Sequence, residues 1–156
     1  MTHKIHPRVQ EALTDINSSR QEHVERGFWF LAEIIEQSLV TGNVACSAAA
    51  REVYLDDVSR REIQEAILAW IRQHPAHQYV GMAFFALGKF FDKQLAPVLR
   101  EWLTHYVKVI DANLSPVGQI LIGLDNIGER VFPDGSFSAI AHGKIFNDAL
   151  TYLRRQ

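Results

Sequence analysis

Histidines are the residues of this chain whose chemistry could include metal binding, and there are seven of them. His74-x-x-His77 flanks Pro75, and His3-x-x-His6 lies near the N-terminus. The helical zinc site of a metalloprotease needs two histidines four residues apart with a glutamate beside the first, and many structural zinc sites add cysteines. Neither pair has that spacing or a cysteine partner. We therefore expect these histidines to lie in solvent and the chain to hold no metal.

Carboxylates are the next candidates for chemistry. Glu101 and His105 stand four residues apart, but a di-iron bundle needs two Glu-x-x-His motifs and two further glutamates. Asp56 and Asp57 could form a catalytic pair, yet they precede Ser59, and a favourable interaction with the start of a helix explains them without catalysis. The sequence also lacks a G-x-S-x-G motif, a phosphate-binding glycine loop and a dinucleotide fingerprint. We predict no catalytic residue, no cofactor and no enzymatic activity.

The residues best suited to binding lie on segment 20–40, which carries an apolar stripe at helical spacing. Trp29 projects on the opposite side, with a glutamate one helical turn away in each direction. A large aromatic side chain surrounded by carboxylates is typical of an interface for a basic partner. The alternative is that segment 7–17 covers Trp29. The apolar stripe is Val24, Phe28, Leu31, Ile35 and Leu39, and the acidic stripe is Glu22, Glu25, Glu33 and Glu36.

Two smaller features extend this hypothesis. Leu68 stands among polar residues on a helix face that we expect to be wet, which makes it a further candidate contact for a partner. Two phenylalanines surround the turn at 132–137. Burial of both against the last helices is the alternative to a binding loop there.

Composition indicates a folded, soluble protein. The 156 residues suit one domain, 47% of them are hydrophobic and 22% charged, and the formal net charge is -2. That charge predicts no general attraction to nucleic acid or to an anionic membrane. The longest apolar run, 79–88, is about half a membrane span and the N-terminus lacks a signal-peptide core, so we expect a cytoplasmic protein. The single Cys46 excludes an internal disulfide, and its alanine-rich surroundings predict a buried hydrophobe.

Helix signals dominate and strand signals are almost absent, which predicts an all-α fold. Capping boxes begin at Ser19 and Ser59, a serine-proline start stands at Ser115, and Pro75 ends the helix that follows Ser59. Residues 79–91 carry a single charge, so this helix should be enclosed while its neighbours expose one face. The predicted helices span 7–17, 20–40, 44–56, 60–73, 77–91, 93–110, 116–130 and 138–154.

The chain also matches itself. Residues 79–91 align with 116–128 at an offset of 37, and the helices before them align at an offset of 32. Periods in this range are typical of helix-pair solenoids, in which each pair buries one face against the next. The region between 83 and 103 adds a motif of small residues, leucines, an aspartate and a proline. It reads Ala83-x-x-Ala86-Leu87-Gly88, Asp92, and Leu95-x-Pro97-x-Leu99-x-x-x-Leu103.

This motif resembles the HEAT-like repeat, over roughly 60–130. The second copy departs from the pattern with Gly123 in place of the expected alanine, and 43–55 is a poor earlier copy. The resemblance implies a short curved α-solenoid that binds another macromolecule, and it implies no chemistry. A non-repetitive helical bundle is the alternative fold.

These predictions combine into one helical domain, 1–156, with N-terminal helices at 1–58, two HEAT-like pairs at 59–130 and a turn with a capping helix at 131–156. We expect a non-enzymatic protein-binding module. By analogy with small all-helical immunity proteins of bacterial toxin systems, its most specific version is an immunity or antitoxin-type protein that binds and neutralises a basic toxin domain. The alternatives are a generic adaptor or regulatory subunit and, with less support, an enzyme or a HEAT-like nucleic-acid-binding protein, for which a basic groove is missing.

Overall fold

The computed structural model describes residues 4–40, 46–109, 114–133 and 142–156, and every regular element in these ranges is helical. The all-α prediction is therefore confirmed for this part of the chain. Eight α-helices and one 3₁₀ helix, η1, are described there. They are α1 Pro7–Ile16, α2 Gln21–Leu39, α3 Ala48–Arg51, α4 Asp57–Gln73, α5 Val80–Gly88, η1 Lys93–Leu95, α6 Ala96–Val107, α7 Leu114–Asn126 and α8 His142–Arg154.

The chain divides into two compact units, Met1–Phe90 and Phe91–Gln156. In the first unit α2 packs against α1, α3 and α5, and α4 packs against α5. In the second unit α6, α7 and α8 pack against one another. The two predicted repeats, α4 with α5 and α6 with α7, fall in different units, so their relation as solenoid repeats stays a prediction.

Close packing of α1 on α2 depends on Gly27. A Cβ atom at this position would lie 2.8 Å from Cγ2 of Ile16 and 2.9 Å from the carbonyl oxygen of Ala12. A bidentate ion pair also stabilises this crossing. Arg26 donates to both carboxylate oxygens of Asp15, at 3.1 and 3.0 Å. The missing side chain at residue 27 therefore fixes which side of α2 faces α1.

Trp70 ties α4 to the first two helices. Its indole Nε1–H donates to the carbonyl oxygen of Ile16 at 2.7 Å, which satisfies one of the carbonyls that the end of α1 leaves without a helical partner. Its ring meets Phe28 of α2 edge to face, with centroids 4.8 Å apart. Both aromatic side chains are buried, so they form the centre of the first unit. Three more residues of the predicted apolar stripe, Val24, Leu31 and Ile35, are also buried, whereas Leu39, at the end of α2, is 39% exposed.

α5 is the apolar helix that the sequence predicts to be enclosed. Seven of its nine residues are buried. Small residues such as Gly81 and Ala86 let it approach its neighbours α2 and α4 closely. Met82 and Phe85 remain half-buried on one side, so the enclosure is incomplete.

Helix starts differ from the predicted capping boxes. Arg20 is the N-cap of α2 and makes no side-chain cap hydrogen bond, so the box predicted at Ser19 is wrong. α4 begins two residues before Ser59, because the Asp56 carboxylate accepts from the backbone N–H of Ser59 at 2.7 Å. Aspartate is as good an N-cap as serine, and here Asp56, the earlier of the two residues in the chain, caps the helix. Of the predicted helix 44–56, residues 46–56 are described and only α3 is helical, so the prediction is wrong for 52–56. Residues 138–141 of the last predicted helix lie outside the described residues.

The second unit has a core built largely from leucine and isoleucine. Leu99 and Leu103 of α6 are buried as predicted, whereas Trp102 on the same predicted stripe is half-buried. Arg100 donates to the Glu129 carboxylate at 3.0 Å, and it also bonds the Tyr152 hydroxyl, so one guanidinium joins α6, the end of α7 and α8.

Candidate functional site

Trp29 lies on the outer side of α2 and is 50% exposed. Its ring meets Phe85 of α5 edge to face, with centroids 5.2 Å apart and planes 78° apart. Two residues along a helix turn the side-chain direction by about 200°, so Gly27, which faces α1, points nearly opposite to Trp29. The alternative in which helix 7–17 covers Trp29 is therefore wrong.

Two further contacts join α2 to the α5 region. The hydroxyl of Tyr79, just before α5, lies beside Glu25, and burial followed by the charge of Glu25 raises the pKa of Tyr79. At the far end, Lys89 Nζ lies 3.1 Å from an oxygen of Glu36 and 4.9 Å from the centroid of the Phe85 ring. Residue numbers rise together on both sides of these contacts, so α2 and α5 run parallel here.

The two outer carboxylates of the acidic stripe are ion-paired. Glu22 lies 2.6 Å from Arg20, and a backbone hydrogen bond, followed by the Arg20 guanidinium, lowers the pKa of Glu22. Glu36 pairs with Lys89, as described above. These ends of the stripe therefore add little net charge to the surface, since each glutamate has its own cation.

The two inner carboxylates have neutral partners instead. Glu33 accepts a hydrogen bond from Ser47 Oγ at 2.9 Å, and the Tyr79 hydroxyl lies beside Glu25. A hydroxyl orients a carboxylate without cancelling its charge. Neither glutamate has an ion pair within the part of the chain that the structure describes. We name Trp29, Phe85, Glu25 and Glu33 the indole surface, and its negative charge lies one turn on either side of the exposed ring.

Leu68 is not part of the indole surface. It is half-buried in the middle of α4. Trp70, two residues later, faces α2 through Phe28. Helical residues that are two positions apart point in nearly opposite directions, so Leu68 points away from α2. The structure thus does not bring this predicted contact together with the acidic stripe.

The expectation that the histidines lie in solvent is wrong for His74 and His77, which are half-buried. Their rings lie 4.9 and 5.1 Å from the Trp70 ring, and the backbone N–H of Tyr79 donates to His77 Nδ1 at 3.0 Å. Burial and then the neighbouring His74 lower the pKa of His77. These side chains belong to an aromatic cluster that shapes the turn before α5. No group of three or more potential metal ligands occurs among the residues described.

Other candidate features give less support for a functional site. The loop at 132–137 lies mostly outside the described residues; Phe132 is half-buried, with Lys144 Nζ 5.8 Å from its ring centroid. A cleft of about 150 Å³ lies beside α1, where Asp15 is already bound by Arg26. Cys46 is half-buried, and its thiol contacts Gln37 Oε1 at 3.0 Å.

Sequence reasoning missed the contribution of α5 to this surface, because an apolar helix with one charge was expected to be enclosed. A signal was nevertheless present. The residues with polar or bulky tips recur at helical spacing along one side of this segment. They are Tyr79, Met82, Phe85 and Lys89, and all four are half-buried.

Within the described ranges, none of the helices has the length and apolar character needed to cross a membrane. Comparisons with protein-family models, curated proteins and solved structures find no match for this chain.

Proposed function

We propose that this chain is a non-enzymatic protein-binding module whose indole surface docks a basic partner protein. The observation that carries the proposal is the half-exposed Trp29 between two carboxylates, Glu25 and Glu33. Their neighbours are the hydroxyl groups of Tyr79 and Ser47, which are neutral and do not cancel the negative charge. Aromatic anchors supply much of the binding free energy at interfaces, and complementary charge supplies orientation and association rate.

The magnitudes separate these two contributions. Burying the exposed half of a tryptophan removes roughly 100 Å² from water, which is worth about 2.5 kcal/mol. A solvent-exposed ion pair typically contributes about 0.2–1 kcal/mol. Trp29 should therefore dominate the affinity for the partner, while the glutamates select a partner of opposite charge and speed its approach.

The most specific version of the proposal is an immunity or antitoxin-type protein that covers and neutralises a basic toxin domain. An exposed aromatic anchor within an acidic surface fits such a partner, because a nucleic-acid-degrading toxin needs a basic face for its substrate. A HEAT-like solenoid formed by α4–α5 and α6–α7 is the finer fold that we propose with it, since helix-pair arrays present extended binding surfaces.

The test compares tagged wild-type protein with Trp29→Ala in affinity purification from the cells that produce it. Tyr54→Ala is the matched control, because Tyr54 is 87% exposed and lies outside the indole surface. We expect a protein that the wild type and Tyr54→Ala retain and Trp29→Ala loses. After purification, this retained protein should be basic and should bind the wild-type chain directly. A direct partner that binds Trp29→Ala as tightly as wild type, with both proteins folded, would contradict the proposal.

The toxin version has its own test. A basic toxin domain encoded beside this protein should stop growth when expressed alone and be tolerated when the wild type is expressed with it. Trp29→Ala should fail to protect. Equal protection by Trp29→Ala, at equal protein levels, would rule out the indole surface as the neutralising contact.

A further inference from the structure

We infer that the group bound by the indole surface is an arginine side chain of the partner, and that the surface discriminates arginine from lysine. This inference rests on the proposed function and specifies its ligand chemistry. It depends on the different environments of the inner and outer carboxylates around Trp29.

Neutral hydroxyl groups lie beside the inner carboxylates and leave them acceptor capacity. Ser47 Oγ donates to Glu33 Oε2 at 2.9 Å, which leaves Oε1 and further lone pairs for another donor. Glu25 has the Tyr79 hydroxyl as its neutral neighbour. A guanidinium is a planar fork whose parallel N–H groups match a carboxylate. Carboxylates that are oriented but still charged suit this bidentate pairing.

The indole ring supplies the second half of the site. Tryptophan is the best aromatic partner for a cation, and a guanidinium also stacks on it because it is planar and weakly hydrated. Side chains one helical turn apart have Cβ atoms about 5–6 Å apart, so one guanidinium can stack on Trp29 and still reach Glu25 or Glu33. An ammonium group can also lie between a ring and a carboxylate, but it is compact and strongly hydrated and lacks the planar fork that stacks flat on an indole and pairs with both carboxylate oxygens.

The neighbouring end of the same surface contains this combination in an intramolecular form. Lys89 lies 4.9 Å from the Phe85 ring centroid and 3.1 Å from Glu36, so one aromatic ring and one carboxylate already share a cation. Trp29 with its flanking glutamates has no corresponding cation among the residues that the structure describes. A cation from another molecule would complete the same arrangement there.

The experiment titrates ¹⁵N-labelled protein with acetyl-Gly-Ser-Arg-Ser-Gly-amide and with peptides in which lysine or citrulline replaces arginine. The readout is the Trp29 indole N–H resonance, identified by its absence in Trp29→Phe. We expect a saturable shift with the arginine peptide and a dissociation constant at least about fivefold lower than for lysine, which corresponds to about 1 kcal/mol. Citrulline has nearly the same shape without the charge, and it should not saturate.

Isosteric variants test the carboxylates. Glu33→Gln keeps an oxygen that can accept from Ser47, and Glu25→Gln keeps the shape of the side chain beside Tyr79, so the fold should persist. Each should weaken arginine-peptide binding at least about threefold, and both together about tenfold. Glu22→Gln is the control, because Arg20 already pairs with Glu22, and it should change binding less than twofold.

Equal binding of the arginine and lysine peptides, or binding of the citrulline peptide as tight as that of arginine, would overturn the inference. So would equal losses in Glu22→Gln and Glu33→Gln. These outcomes are independent of the proposed function, since no partner protein is used. If arginine selectivity is absent but partner binding depends on Trp29, only the arginine inference fails. If the peptide binds as expected but the partner ignores Trp29→Ala, the proposed function fails.

Discussion

Trp29 of α2 and Phe85 of α5 meet edge to face with ring centroids 5.2 Å apart, and half of the tryptophan remains exposed. An edge-to-face pair holds the exposed indole in one orientation without burying it. A preoriented anchor loses less side-chain entropy on binding than a free one. This contact therefore links the packing of the first unit to its proposed role.

Replacing the anchor should accelerate dissociation of the partner. We expect Trp29→Ala to weaken a basic partner at least about thirtyfold, equivalent to about 2 kcal/mol, mainly through a faster dissociation rate. The fold should persist, because the ring is half exposed. Surface plasmon resonance measures the rates, and circular dichroism checks the fold. Loss of the folded state in Trp29→Ala would instead assign the residue to the core.

Reversing the inner charges should act on association. Glu25→Lys combined with Glu33→Lys is expected to slow association and flatten its salt dependence, because long-range attraction is screened over about 10 Å at 0.1 M salt. Stopped-flow mixing at several salt concentrations measures this. Trp29→Ala provides the comparison, since it should leave the salt dependence of association close to wild type. An unchanged salt slope in the double variant would exclude electrostatic steering by these glutamates.

Gly27→Ala should destabilise the protein although alanine favours helix. The added Cβ would meet Ile16 Cγ2 at 2.8 Å and the Ala12 carbonyl at 2.9 Å. Overpacking of this kind costs about 1–3 kcal/mol, which exceeds the propensity gain of about 1 kcal/mol. Gly143→Ala in α8 is the control, because nothing lies within 4 Å of its Cβ position. Urea unfolding should show a lower free energy of unfolding for Gly27→Ala and no loss for Gly143→Ala.

Two truncations in α5 should cost different amounts of stability, because this helix is buried on most sides but not on all. Leu87 is 1% exposed, so Leu87→Ala should lower the free energy of unfolding by about 2–5 kcal/mol. Phe85 is half-buried, and Phe85→Ala should cost less than Leu87→Ala. The fully enclosed helix that the sequence predicts for 79–91 would instead make the two losses similar. Chemical denaturation of the two variants distinguishes these expectations, and equal losses would mean that Phe85 is enclosed in solution.

Acid should weaken the turn before α5 through His77. Burial and then His74 hold the pKa of His77 below its ordinary value of 6.5. The unfolded chain then binds a proton more readily, so this stabilisation is present above pH 6.5 and is lost as the pH falls below it. Protonation also removes the Nδ1 acceptor of the Tyr79 N–H.

The comparison for this prediction is His77→Asn, whose amide oxygen can accept the same hydrogen bond but does not titrate. Urea unfolding at pH 7.5 and pH 5.0 should show a larger loss of stability for the wild type than for His77→Asn. Equal losses would show that other groups account for the acid sensitivity.

Local pattern was sufficient to predict the long helices, although only Ala48–Arg51 of the predicted helix 44–56 is helical. Apolar spacing along 20–40 predicted the buried side of α2 and placed Trp29 on the opposite side of the helix, because a helix turns by a constant angle per residue. It left open whether segment 7–17 covers Trp29. The composition of 79–91 predicted a largely buried α5 for the same kind of reason. Helix starts were less predictable, since several residues can cap a helix and only the backbone path selects one, as it selected Asp56 before Ser59.

Tertiary structure decided which residues share a surface. Sequence places four glutamates around Trp29 but cannot show that Arg20 and Lys89 pair with the outer two while the hydroxyl groups of Tyr79 and Ser47 lie beside the inner two. It also cannot place Phe85 against Trp29 or turn Leu68 away from α2. Spacing fixes side-chain directions within one helix, whereas contacts between distant segments depend on how helices cross. Here that crossing depends on close packing at Gly27, where the absence of a side chain brings α1 onto one side of α2 and leaves the other side for Trp29.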